Sequence, residues 1–234
     1  MGTSKIEKDF QFFQKANNYR LALGTLQSDF PDWRSELPDL AFANDCVLSA
    51  LVSVFERSQS ICPLNVDKDS LRRAAVAAAM FQNISLVETA VSKAQYIGAS
   101  ALIRQELEGV EVLRGILAGK QKDGATPRLK AFKFLGKGYS QLTGVSHLSL
   151  NEGITYLTGG RPFSYDPRYN KTYAEWLMKH HVLAVYGLAT ITAFDFRGFE
   201  EDHLTVSEEY HLTRALKVLG DSGFLQLKSP QSHP

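Results

Sequence analysis

The sequence predicts an all-α protein, an antiparallel bundle of about six or seven helices. Apolar residues recur three and four positions apart through most of the chain, which is the periodicity of helices packed on one side. Prolines and short polar segments divide the chain into stretches of helix length. The exception is a stretch near residues 150–170, where we expect a small irregular or hairpin insert.

Length and composition favour one folded domain. The chain has 234 residues, of which 44% are hydrophobic and 22% charged, within the range of globular domains that bury a core. We expect a single helical domain over residues 1–234, with core helices at 71–147, the insert at 148–170 and C-terminal helices at 171–220. The formal net charge of +1 provides no overall attraction for nucleic acid or anionic lipid, but leaves a local basic patch open.

The N-terminal third divides at prolines. An apolar stripe at helical spacing predicts a first amphipathic helix, and its members are Ile6, Phe10, Phe13 and Leu21. The segment SDFPDWRSELPD then interrupts the pattern with two prolines. Pro38 suits the first turn of the next helix, where a backbone N–H has no partner, and that helix is predicted to extend to about Ser58.

The middle of the chain predicts a pair of helices followed by a third. Residues 71–120 contain no proline, and one helix of that length would be unusual in a globular protein. We therefore place a break either around residues 83–85 or near Gly98. A further helix is predicted to begin at Pro127 and to end near Gly144.

The C-terminal part returns to helix after the insert. The sequence ITYLTGGRPFSY, within residues 150–170, predicts either a small hairpin or an irregular loop. A helix is expected over residues 171–196. Thr205 and Glu208 have the spacing of a capping box and predict the start of the last helix. Gly220 is expected to end it.

Targeting signals are not recognised in the sequence. The segment MGTSKIEKDFQFF lacks the basic and apolar regions of a signal peptide. Cys46 and Cys62 form neither a disulfide framework nor a zinc spacing, which is typical of a reducing compartment. The longest apolar stretch, residues 182–194, is too short to cross a bilayer. We expect a cytoplasmic protein without a membrane partner.

Metal and cofactor motifs are likewise not recognised. His180 and His181 are adjacent, so on a helix their side chains point about 100° apart and cannot chelate one metal ion together. The sequence TGGRP at residues 158–162 matches neither a P-loop nor a dinucleotide-binding fingerprint. We therefore expect no metal and no cofactor.

Two segments combine into the candidate functional site. Arg104 and Glu108 lie four residues apart and hence on one face of a helix. Tyr139 and His147 lie eight residues apart and share roughly one side of a later helix. Antiparallel packing of the two helices would bring the four side chains together.

This arrangement resembles an uncharacterised group of bacterial helical proteins related to HEPN domains, over about residues 71–147. That group has an L-x-R-x-x-x-E stretch followed by Y-x-x-L-S-x-x-x-H. The matching residues are Leu102, Arg104, Glu108, Tyr139, Leu142 and His147, with Thr143 in place of the serine. The resemblance implies an intracellular protein that binds or cleaves RNA, in bacterial or phage defence, with the site at a dimer interface in active HEPN nucleases.

The implied catalytic residues are Arg104 and His147, oriented by Glu108 and Tyr139. An arginine can clamp a phosphate, and a histidine can transfer a proton near neutral pH. The sequence departs from the nuclease pattern, because no arginine lies five to seven residues before His147. The one literal match, from Arg197 to His203, contains an acidic run that would repel phosphate, so we do not interpret it as a nuclease motif.

A second nucleic-acid candidate is the segment RLKAFKFLGKGY. Its basic residues alternate with aromatic ones, a combination that suits RNA backbones and bases; the basic residues are Arg128, Lys130, Lys133 and Lys137. The alternative is that Phe132 and Phe134 belong to the core and the lysines to a solvated face.

Two hypotheses for function stay open at this point. The first is the HEPN-like protein that binds or cleaves RNA. The second is a non-catalytic helical interaction or small-ligand-binding domain, in which the Arg104–His147 cluster is a structural polar network. A homodimer is compatible with either hypothesis, because the apolar helix faces are broad.

Overall fold

A computed structural model of the chain describes residues 5–59, 68–121, 124, 127, 129–130, 132–149, 166–195 and 203–225. Every regular element in this part of the chain is helical, and it contains no strand, which confirms the predicted all-α class. The helices are α1 (Lys5–Ser28), α2 (Trp33–Glu36), α3 (Pro38–Gln59), α4 (Lys68–Ser92), α5 (Tyr96–Leu117), α6 (Gly136–Ser146), α7 (Lys171–Asp195) and α8 (Val206–Asp221). A single 3₁₀ turn, Lys133–Leu135, leads into α6. The predicted hairpin falls largely on residues 150–165, outside the described residues.

Helix α7 lies at the centre of the bundle and packs against α2, α3, α4, α5 and α8. Its sequence is apolar on nearly all sides, which is the pattern of a helix surrounded by protein. The buried hydrophobic residues of α7 are Ala174, Leu177, Met178, Val182, Leu183, Ala184, Val185, Leu188, Ala189 and Ala193. Helix α3 packs between α7 and α8, while α4 and α6 pack against α5.

The predicted break in the middle of the chain lies near Gly98 rather than at residues 83–85. Helix α4 ends at Ser92 and α5 begins at Tyr96. Between them Ala94 adopts a left-handed conformation with φ of 52°. The amide of the next residue, Gln95 N, donates to Ala90 O at 2.8 Å, and Ala94 N donates to Val91 O at 3.1 Å. These bonds give carbonyl groups at the end of α4 their partners, as in the left-handed turn that usually contains glycine.

The predicted start of one helix and the predicted end of another were wrong. Helix α6 begins at Gly136 instead of Pro127. The buried side chains of Phe132 and Leu135 precede its first residue, so the start of the helix follows from packing against the core and not from the position of the proline. Helix α8 continues through Gly220, and Gly223 adopts the left-handed conformation instead, with φ of 72°. The following residue, Phe224, packs against the core, which explains why the left-handed turn comes three residues later than expected.

Helix α1 differs from the predicted amphipathic helix in its packing. Leu21, the last member of the predicted stripe, is 66% exposed. The side chains of residues 5–13 lie outside the described residues. The end of α1 is attached by hydrogen bonds to the α4–α5 turn, where Gln27 Nε2 donates to Lys93 O at 3.0 Å and Lys93 Nζ donates to Gln27 O at 3.3 Å.

Two helices of the described chain are long and apolar enough to cross a membrane, judged by length and composition alone. They are α3, over Pro38–Arg57, and α4. Both pack against other helices of the bundle, and a core helix of a soluble protein has the same length and composition. Their hydropathy therefore does not decide where the protein resides.

The N-terminus of α8 is joined to α3 by a buried carboxylate. Thr205 and Glu208 form the predicted capping box, in which each side chain bonds the other residue's backbone N–H. Glu208 also accepts hydrogen bonds from Ser53 Oγ at 2.8 Å and from Arg57 Nε at 3.0 Å and Nη2 at 2.8 Å. Burial alone would raise the pKa of the Glu208 carboxyl, but the hydrogen bonds from Arg57, Thr205 and Ser53 hold it below its ordinary value.

We expect Glu208→Ala to lower the free energy of unfolding by about 2–4 kcal/mol, because it removes the Glu208 half of the capping box and leaves Arg57 without its carboxylate. Urea unfolding followed by circular dichroism measures the change. Glu209→Ala is the matched control, since Glu209 lies in the same helical turn but is exposed. Equal losses in the two variants would contradict a role for the Glu208 network.

Candidate functional site

The four residues predicted to meet do so at the interface of α5 and α6. Arg104, in the first half of α5, contacts His147 just beyond the end of α6. Glu108, one turn further along α5, contacts Tyr139 in the first turn of α6. The two helices therefore run antiparallel, as the sequence predicted, and residues more than thirty positions apart share one cluster.

The contacts in this cluster form a chain from histidine to tyrosine. Arg104 Nη1 lies 2.8 Å from His147 Nε2. Arg104 Nε lies 3.4 Å from Glu108 Oε1, an ion pair without a well-formed hydrogen bond. Tyr139 donates its hydroxyl hydrogen to the same Glu108 Oε1 at 2.5 Å. Each polar side chain thus holds its neighbour in place.

The cluster is accessible to solvent. The Arg104 side chain is 22% exposed and that of Glu108 is 19% exposed, while His147 is exposed at the helix end. A solute could therefore reach the guanidinium and the imidazole without the bundle opening.

The hydrogen bonds determine the protonation of two members. A guanidinium has only donors, so His147 Nε2 must accept, and the ring is neutral with its proton on Nδ1 while the contact lasts. Burial raises the pKa of Tyr139 to about 12, and its hydrogen bond to Glu108 raises it in the same direction. With Tyr139 and His147 neutral, the formal charges of Arg104 and Glu108 cancel.

His147 occupies a fixed position in the backbone. It is the C-cap of α6, and its N–H donates to Thr143 O at 3.0 Å. The next residue, Leu148, is left-handed with φ of 56°, although it is not glycine. Such a conformation costs on the order of 1 kcal/mol or more for a non-glycine residue, and strain of this kind is found at functional sites.

The predicted basic segment lies at the N-terminal end of α6, opposite the end at which His147 lies. Lys130, Lys133 and Lys137 are exposed, whereas Arg128 falls outside the described residues. Between Lys137 and His147 the helix rises about 15 Å, at about 1.5 Å per residue. The lysines therefore belong to a surface next to the Arg104–His147 cluster and not to the cluster itself.

The two phenylalanines of that segment have different environments. Phe132 is buried against the core, as the structural alternative predicted. Phe134 is 59% exposed, next to exposed Lys133, and that alternative is wrong for it. The two residues are two positions apart and therefore point to different sides of the 3₁₀ turn, so that one ring meets the core and the other does not.

A buried ion pair in the core was missed by sequence reasoning. His181 Nδ1 lies 2.8 Å from Glu106 Oε2, and both side chains are buried between α5 and α7. The available signal was a glutamate and a histidine within helices whose other inward positions are mostly apolar. Within the part of the chain that the structure describes, no group of three or more His, Cys, Asp or Glu side chains could hold a metal ion.

His180, next in sequence, has a different environment. Its Nδ1 donates to Trp176 O at 2.8 Å, and its ring packs between Trp176 and Phe224. A Cβ atom at Gly138 would lie only 2.5 Å from His180 Nε2, so α6 reaches α7 at a position where no side chain fits. This close approach places the adjacent Tyr139 opposite α5.

The two histidines respond to pH in opposite senses. Burial lowers the pKa of His180 to about 4, so its ring is neutral in the folded protein. Burial also lowers the pKa of His181, but the charge and hydrogen bond of Glu106 outweigh it, and with Glu88 they raise that pKa above its ordinary value. His181 therefore stabilises the fold below pH 6.5, and this contribution is lost as the pH rises through its raised pKa.

The sequence matches no known protein-family model, and neither a curated protein nor a solved structure was found that matches the chain. The similarity to HEPN-related proteins is therefore still a prediction that depends on the motif residues alone.

We expect the free energy of unfolding to fall by about 3 kcal/mol between pH 6.5 and about pH 4, because the pKa of His180 is lower in the folded than in the unfolded chain. The unfolded chain binds the proton near pH 6.5, whereas the folded chain resists it until about pH 4. Urea unfolding at several pH values measures the loss. His180→Phe should flatten the dependence within this window, while His211→Phe, on the outer side of α8, should leave it unchanged. An unaltered pH dependence in His180→Phe would contradict this assignment.

Proposed function

We propose that the protein binds RNA and that Arg104 and His147 contact one phosphodiester group at the surface between α5 and α6. The observation that carries the proposal is their 2.8 Å contact, made by two partly or fully exposed side chains from different helices. A permanent cation beside a proton-transferring group is the pairing that recognition and cleavage of a phosphodiester require.

The contact between the two residues also supports a route to cleavage. A phosphate oxygen that accepts from Arg104 would take the place of His147 Nε2 and leave that nitrogen free to act as a base. His147 would then remove the proton of a 2′-hydroxyl, whose oxygen bonds to phosphorus while the bond from phosphorus to the 5′-oxygen breaks and that oxygen takes up a proton from solvent water. Arg104 would stabilise the charge on the phosphorane oxygens. Glu108 and Tyr139 are positioning residues in this scheme.

The neighbouring surface supports RNA as the ligand. Lys130, Lys133 and Lys137 are exposed and could neutralise further phosphates. Phe134 offers an exposed ring among them, and such rings stack with unpaired bases. The membership of a HEPN-related family, a role in bacterial or phage defence, a cytoplasmic location and a homodimer remain predictions of the sequence.

A second candidate is a non-catalytic interaction domain in which the cluster is structural. The observation that favours it is that Arg104, Glu108, Tyr139 and His147 already bond one another. The charge of Glu108 also cancels that of Arg104, which weakens the attraction for phosphate. Such a network would hold α6 to α5 in one register.

RNA binding and cleavage by variants of the cluster distinguish the two candidates. With labelled single-stranded RNA of mixed sequence, we expect Arg104→Gln to weaken binding about tenfold or more, because the variant cannot form a charge-assisted bond to phosphate. His147→Ala should abolish cleavage, and Tyr139→Phe should reduce it while leaving binding nearly intact. Fluorescence anisotropy and gel analysis measure the two effects.

Arg34→Gln and His211→Ala are the controls, since Arg34 is also a surface arginine paired to a carboxylate and His211 is a histidine of α8 whose ring contacts Ser207 O and Tyr210. Both should behave as the unmodified protein. If the unmodified protein neither binds nor cleaves RNA, and Arg104→Gln only lowers the melting temperature, the structural candidate is correct.

We expect the exposed lysines to contribute mainly electrostatic attraction. Lys133→Gln combined with Lys137→Gln should make the dependence of RNA affinity on salt less steep, by about 0.7 in the log–log slope for each phosphate that is no longer neutralised. Binding titrations at several salt concentrations measure this slope. Lys217→Gln, at an exposed position on α8, is the control and should leave it unchanged. An equal change in the double variant and in Lys217→Gln would argue against a local basic surface.

A further inference from the structure

A groove of about 790 Å³ lies beside the C-terminal half of α5, away from the His147 end of the cluster. Its walls come from α5, from the turn before α6, from α7, from α8 and from the segment that follows α8. The walls are mainly apolar and include Val110, Phe132, Phe134, Ile191 and Phe224. A groove of this size falls within the range of sites that hold small organic ligands, about 300–1,000 Å³.

One charge accompanies this apolar surface. Among the described residues that line the groove, Arg114 alone is ionised at neutral pH. Its side chain is 48% exposed, and its contact with Glu111 is long, at 3.9 Å. Arg114 therefore keeps most of its donors for another acceptor, and its planar fork matches the two oxygens of a carboxylate.

The groove is preformed on the α7 side. A Cβ atom at Gly187 would lie 3.1 Å from Val110, so α5 and α7 pack closely together along this wall of the groove. The hydroxyl of Thr190 is already used, since it donates to Tyr186 O at 2.8 Å. An apolar ligand would not leave this polar group without a partner.

We propose that the groove binds an amphipathic monocarboxylate, a medium- or long-chain fatty acid, with its hydrocarbon chain on the aromatic and aliphatic walls and its carboxylate on Arg114. The hydrocarbon chain of such a ligand matches the apolar walls of the groove, and its single carboxylate matches the single positive charge of Arg114. A polyanionic ligand is disfavoured, because the described lining supplies one positive charge only. This site is distinct from the Arg104–His147 cluster, since neither residue lines the groove, although the groove and the proposed RNA surface share the exposed ring of Phe134.

Isothermal titration with dodecanoate, kept below its micelle concentration, tests the proposal on the full chain. We expect saturable binding to the unmodified protein and about tenfold weaker binding to Arg114→Gln, because that variant lacks the charge-assisted bond. Dodecanol should bind the unmodified protein no better than dodecanoate binds Arg114→Gln. Arg34→Gln is the matched control, since Arg34 is a surface arginine that does not line the groove, and it should bind dodecanoate as tightly as the unmodified protein.

Ile191→Trp adds a large ring to the groove wall and should prevent binding. Because the comparison of dodecanoate with dodecanol needs only the unmodified protein, the test does not depend on any variant folding. Absence of saturable dodecanoate binding, or equal affinity for the acid and the alcohol, would overturn the proposal. Equal binding to the unmodified protein, Arg114→Gln and Ile191→Trp would do the same.

Discussion

The hydrogen bond between Glu106 and His181 is the constraint on which the placement of α5 depends. Both side chains are buried, and an ionisable side chain in a protein core is costly unless it meets a partner in good geometry. The pair therefore penalises any rotation or sliding of α5 along α7 that separates the two residues. Apolar packing tolerates small changes of register far more readily than such a pair does.

The rotation of α5 then decides what faces α6. Arg104 and Glu108 lie two residues on either side of Glu106, so each points about 200° away from it around the helix. When Glu106 turns towards α7, the other two turn away from the core and towards the partly exposed interface with α6. Gly138 adds the second condition, because its lack of a side chain lets α6 approach His180 closely. Tyr139 then reaches Glu108.

The same helix carries two chemically different surfaces. On the α6 side, Arg104 is balanced by Glu108 and touches an exposed histidine, an arrangement compatible with exchange of one partner for a phosphate. Towards its C-terminal end, Arg114 stands beside an apolar groove, and its contact with the Glu111 carboxylate is long. The ligands expected for the two arginines differ because their surroundings differ. The polar neighbours of Arg104 favour a hydrated anion, whereas the apolar walls beside Arg114 favour an amphipathic anion.

The sequence by itself determined the helical class, the capping box at Thr205 and Glu208, the shared helix face of Arg104 and Glu108, and the roughly shared side of Tyr139 and His147. These features follow from periodicity and fixed spacing along one or two antiparallel helices. Only the tertiary structure decided the start of α6 at Gly136, the exposure of Phe134 and the pairing of Glu106 with His181. Each of these depends on which neighbour a side chain meets across the bundle, and spacing along one chain does not encode the rotation of one helix against another.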